Sequence, residues 1–117
     1  MADSDDMLGG NAEYGKFMED YERRRDELHE RISAFVDEQE LDEGYAAQLL
    51  LDLTVNMRMV AYAMSVEHPS VAGLKLDLDR FRGEIDMFVR EAKKSAEEFI
   101  RAAKDARAAA DAEDDSN

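Results

Sequence analysis

Apolar residues recur at steps of three and four through three long stretches of the chain. The first stretch holds Tyr14, Phe17, Met18, Tyr21, Leu28, Ile32, Phe35 and Val36, which is one stripe of a helix. The second places Ala46, Leu49, Leu50, Leu53, Met57, Val60, Ala61 and Met64 on one face, with Leu51, Val55, Met59 and Tyr62 forming a second apolar stripe on the far side. A helix that is apolar on two faces is either central or covered by another subunit. The third stretch steps through Leu74, Leu78, Phe81, Ile85, Phe88, Ala92, Phe99, Ala103 and Ala106. Its alternating steps make a heptad seam that continues to about Ala110.

Breaks between the stretches set the boundaries. Acidic residues crowd the run from Asp37 to Glu43, and negative charge disfavours a helix C-terminus while favouring the next N-terminus. Asp42 is therefore the expected cap of the second helix. His68-Pro69-Ser70 is the other break: proline cannot continue a helix, and serine caps the next one. Asn11 is the expected cap of the first helix, after Gly9-Gly10. The pattern predicts helices over about 12–39, 43–67 and 70–110, with flexible acidic tails at 1–10 and 111–117.

Lengths then shape the expected fold. At 1.5 Å per residue the first two helices span roughly 40 Å and the third roughly 60 Å. The fold class that follows is all-α: a three-helix antiparallel bundle with a long projecting C-terminal helix. The second apolar stripe of the middle helix, Leu51, Val55, Met59 and Tyr62, is surplus to a three-helix monomer, so it is the expected interface of a homodimer. Gly73 and Gly83 are read as points of close helix approach.

Composition supports folding and narrows the partners. The 117 residues carry a single proline, and 44% are apolar, enough for one domain with a modest core. The net charge is −14. Setting aside the acids of both tails still leaves 22 acids against 15 bases. Such a surface repels nucleic acid and anionic membranes and attracts basic partners. Gln48, Asp52, Asn56 and Arg58 interrupt the most apolar stretch and make it too costly as a membrane span. With no cysteine and an acidic start, disulfides and a secretory leader are not expected, and the protein reads as cytoplasmic. Abundant acids and an excess of arginine over lysine resemble the composition of proteins from salt-loving archaea.

Candidate chemistry is thin. Asp26 and His29 make one Asp-x-x-His, but helical di-metal sites need a second such motif and further carboxylates. Asp26, His29 and Asp52 are therefore only a weak metal or ligand set. The charged neighbours of His29 also argue against a phosphotransfer role. Gln48, Asp52 and Asn56 stack at steps of four; they form either a small polar site or, more in keeping with bundles, a buried network that fixes pairing. No phosphate loop or catalytic triad order is present, so neither catalysis nor a cofactor is expected. The expected function is a non-catalytic protein–protein interaction or oligomerisation module. A small metal- or ligand-binding bundle and a chaperone or adaptor for a basic client are the alternatives.

Overall fold

The structure, a computed structural model, describes residues 2–115, and side chains from 11 to 114. Among the described residues it is entirely helical, with four helices: α1 (Ala2–Glu38), α2 (Glu43–Ser65), α3 (Val71–Lys94) and α4 (Ala96–Asp115). The chain divides into two compact units, Met1–Leu53 and Thr54–Asn117. The first half of α2 belongs to one unit and the second half to the other.

In the first unit, α1 begins earlier than the apolar pattern predicts. Helix runs through Gly9-Gly10 and past Asn11, so Asn11 is no cap and the backbone of 2–10 is helical. Residue 1 and residues 116–117 of the expected tails lie outside the described residues.

The α1–α2 corner is closed by backbone geometry. The Leu41 N–H donates to the Val36 carbonyl at 2.9 Å, and the Glu40 N–H donates to the Asp37 carbonyl at 3.2 Å. This pair of bonds is the Schellman ending of a helix. It requires a left-handed residue, and Glu40 supplies it with φ 54°. Val36 and Leu41 occupy the two positions whose apolar contact accompanies that motif, and Val36 is buried. Asp42 then caps α2 as expected, accepting from the N–H groups of Gly44 at 3.0 Å and Tyr45 at 3.3 Å.

Glycine adopts the left-handed conformation without the steric cost that glutamate carries there. Replacing Glu40 also removes a negative charge from the end of α1, whose last turn holds no base. Glu40→Gly should therefore raise stability by about 0.5–1 kcal/mol, the relief of left-handed strain less the added freedom of the unfolded chain. The urea midpoint of unfolding measures it.

In the second unit, Ser70 caps α3 as the sequence predicts. Its backbone is extended, and its side chain accepts from the Gly73 N–H at 3.0 Å. The single long third helix of the sequence reading is divided at Ser95. The Ser95 hydroxyl donates toward the carbonyls of Ala92 at 3.3 Å and Glu91 at 3.5 Å. A serine hydroxyl bonded to the preceding turn competes with the backbone ladder, and the helix is interrupted at this residue. Helical bonding resumes at once, with the Phe99 N–H donating to the Ser95 carbonyl at 2.9 Å.

Burial is slight throughout. Among the described residues only Val36 and Ala46 are buried. On α3 the half-buried positions are Gly73, Leu74, Asp77, Leu78, Phe81 and Ile85. Beyond Ile85 the seam is bare, with Phe88 71% and Phe99 69% exposed.

Candidate interaction surface

Three features could carry function: a groove in the first unit, an arginine-centred cluster in the second, and the open apolar faces of both.

The groove lies between the last turns of α1 and the first turns of α2. It encloses about 440 Å³ and is walled by Ile32, Phe35, Leu49, Leu50 and Leu53, with Val36, Leu41 and Ala46 also lining it. Arg31 and Asp52 are the polar residues that line it. The walls are apolar because the inward stripe of α1 and the Ala46–Leu53 stripe of α2 meet at the Schellman corner. Phe35, Leu49, Leu50 and Leu53 are nevertheless exposed, so the groove is open to a partner side chain.

The cluster of the second unit is built on Arg58. Its Nε donates to Asp77 Oδ2 at 3.1 Å and its Nη2 to Asp77 Oδ1 at 3.3 Å. This is the two-pronged pairing for which a guanidinium is shaped. Nη1 donates to Glu84 Oε2 at 3.2 Å, and the guanidinium carbon lies 5.1 Å from the centre of the Phe81 ring. Asp77, Phe81 and Glu84 are spaced at four and three, so one face of α3 presents all of them. Hydrogen bonding to Asp77 raises the Arg58 pKa above the usual arginine value. Partial burial opposes the shift, and the charges of Asp77 and Glu84 add to it.

Tyr62 makes the neighbouring contact one turn along α2. The Ser70 N–H donates to its hydroxyl oxygen at 3.2 Å, and the hydroxyl reaches the Ser70 carbonyl at 3.5 Å. A side chain on Gly73 would run into the Tyr62 hydroxyl and ring, so glycine is needed there for close approach. Gly83 has nothing near it, and the same reading does not hold for it.

The predicted interface stripe is thus split. Val55 and Tyr62 are half-buried, whereas Leu51 and Met59 are exposed. The other stripe of α2 is left open in this unit, with Met57 69%, Val60 54% and Met64 83% exposed. Leucine, valine and methionine stripes look alike in sequence, so nothing there says which one α3 covers.

The polar strip does not form a buried network: Gln48, Asp52 and Asn56 are all exposed. Arg82 pairs with Asp79 at 3.7 Å on its own helix. The inward polar residue is Arg58, which the apolar pattern treats only as an interruption. Register could have found it, because pairing about residue 69 sets 58 opposite 80, midway between Asp77 and Glu84.

The weak metal set is not assembled. Asp26 and His29 are exposed, Asp26 lies 3.6 Å from Arg25, and Asp52 sits at the groove. Among the described residues no group of three or more histidine or carboxylate side chains is placed to hold a metal ion. No helix among them is long and apolar enough to cross a membrane. Compared with known protein families, with curated proteins and with solved structures, the chain has no match.

Proposed function

We propose that the chain is a non-catalytic helical module whose hydrophobic core is completed by a second copy of itself, forming a homodimer that presents an acidic surface to other proteins. The observation that carries this reading is the surface left open. Among the described residues Val36 and Ala46 alone are buried, both in the first unit, and the second unit has no buried residue among those described, whereas a folded domain of ordinary size encloses a continuous apolar core.

Exposed large apolar side chains are distributed along every helix. Tyr14, Phe17 and Leu28 on α1, Met57 and Met64 on α2, Phe88 on α3 and Phe99 on α4 all stand more than half exposed. Scattered apolar residues on a surface are ordinary, but continuous stripes of this extent belong to interfaces. The bare seam beyond Ile85 supports reading α4 as an arm that reaches toward the partner. The acidic surface, with its net charge of −14, favours, beyond the dimer itself, a basic protein partner.

Sedimentation equilibrium tests the proposal. The expected result is a species of twice the chain mass at micromolar concentration, in buffer with enough salt to screen the repulsion between two acidic chains. A strict monomer at several hundred micromolar would sink it.

A further inference from the structure

We infer that Arg24 of a second copy docks on α3 in a seat formed by Glu84, Phe88 and Glu91, so that α1 of one copy lies along α3 of the other. This rests on the dimer proposed above and names two surfaces that meet in it.

The seat repeats one that the chain already fills. Asp77 takes the Nε and Nη2 protons of Arg58, Glu84 takes an Nη1 proton, and the Phe81 ring lies under the guanidinium. That site is an acid, a phenylalanine four residues on and an acid seven residues on. The same spacing recurs one heptad later as Glu84, Phe88 and Glu91. At about 100° per residue, each trio falls within about 60° of the helix circumference. The second trio stands open. Phe88 is 71% exposed, and an open hollow of about 370 Å³ is lined by Glu84, Met87, Phe88 and Glu91. Arg58 is the one base of α2, so that helix has no second cation to place there.

The arginine, too, has a double. Arg58 interrupts an apolar stripe, with Leu51 and Val55 seven and three residues before it and Tyr62 four after. Arg24 interrupts the stripe of α1 at the same spacing, between Phe17, Tyr21 and Leu28. Its neighbours in sequence are engaged: Arg23 pairs with Asp20 at 3.1 Å and Arg25 with Asp26 at 3.6 Å. Arg24 makes no ion pair among the described residues, and it lines an open hollow with Phe17, Tyr21 and Leu28. One such arginine and one such seat are joined within the chain, and one of each is left over.

Charge selects α1 as the occupant. Acids recur every seven residues along one edge of the α3–α4 seam, at Asp77, Glu84, Glu91, Glu98 and Asp105, while Lys94, Arg101 and Lys104 fall on the side away from Phe99. Two copies of this seam packed together would bring acids and no base to their contact. The α1 stripe has the opposite need. Covering it with apolar side chains alone would strand the Arg24 charge, which is strongly destabilising, so it is covered where acids meet the guanidinium. A polar residue inside an apolar stripe fixes register and partner in this way. Antiparallel placement, as α2 takes on α3, brings Tyr14 and Phe17 toward Phe99, and all three rings are largely exposed.

Sedimentation equilibrium on charge-swapped chains provides the test. Arg24 and Glu91 are exposed, so helicity by circular dichroism should be retained in every variant. Arg24→Glu should raise the dimer dissociation constant at least about thirtyfold. Arg23→Glu changes the net charge equally but lies away from the stripe, and should raise it no more than about threefold. Glu91→Arg alone should raise it about tenfold, although it lessens the overall repulsion between acidic chains. A chain carrying both Arg24→Glu and Glu91→Arg should recover most of the affinity, because the pair is reversed rather than removed. Differently tagged single variants, one Arg24→Glu and the other Glu91→Arg, should prefer each other to themselves, as a contact between copies requires. A dimer that responds to Arg24→Glu as it does to Arg23→Glu, or that gains nothing from the double swap, overturns this inference and leaves the proposed function standing. A chain that is monomeric throughout overturns both.

Discussion

Arg58→Glu should unfold the α2–α3 corner and produce the largest loss of any single substitution in the second unit. The wild-type guanidinium is shared between Asp77 and Glu84 and lies over the Phe81 ring. Glutamate at 58 turns every one of those contacts repulsive or empty, and sets three carboxylates against one another. Stability in this unit rests on few other contacts, since none of its described side chains is fully buried. The melting temperature should fall by on the order of 10 °C, as followed by circular dichroism. Arg58→Lys should lose a smaller part, because an ammonium keeps the charge but cannot span both Asp77 oxygens or lie flat on the ring. Arg82→Glu is the control. Arg82 is 83% exposed and pairs only with Asp79, so its loss should shift the midpoint by no more than roughly a degree or two. A melt unchanged in Arg58→Glu would show that the cluster does not hold the corner.

The pH behaviour of the arginine follows from the direction of its shift. Its folded-state pKa is raised, so its contribution is complete below the unfolded-state value and is lost only as pH climbs through the folded one. That lies at strongly alkaline pH. The arginine side of the cluster therefore contributes equally across neutral pH, and a change in the Arg58→Lys difference between neutral and mildly alkaline buffer would contradict this assignment.

What was legible in the sequence is what local chemistry decides. Asp42 and Ser70 were readable as caps because a cap needs only its own side chain and the next turn's N–H groups. The corner at 39–42 was readable because acids and the end of an apolar stripe coincide there, although the left-handed Glu40 was not: the position usually falls to glycine. The break at Ser95 was also hidden. Serine fits a helix well enough that only its bonds to the Glu91 and Ala92 carbonyls mark the break. Tertiary choices were less legible still. The middle helix carries two apolar stripes of similar strength, and periodicity cannot say which one meets α3. The same ambiguity hid Arg58, which looks like an interruption until register sets it against Asp77, Phe81 and Glu84. The candidate groove needed both the Schellman corner and the pairing of α1 with α2 before its walls came together.

Dilution should lower the thermal midpoint of the intact protein. If a second copy supplies the core that Val36 and Ala46 alone do not, folding and association are one equilibrium, and stability cannot be stated without the concentration. The size of the effect follows from the unfolding enthalpy. At about 0.7 kcal/mol per residue, two chains of this length absorb roughly 160 kcal/mol, so each tenfold dilution should lower the midpoint by about 3 °C. A thousandfold series should therefore span roughly 9 °C, well beyond the error of a circular dichroism melt. The series is best run in about 1 M salt, where the Debye length is near 3 Å and repulsion between two chains of charge −14 no longer masks the apolar contact. Phe99→Glu separates this cause from others, because a variant that cannot pair should melt low at every concentration and lose the dependence. A midpoint that holds constant over the series would mean that the single chain is stable with its stripes open, and that the open apolar surface is not an interface.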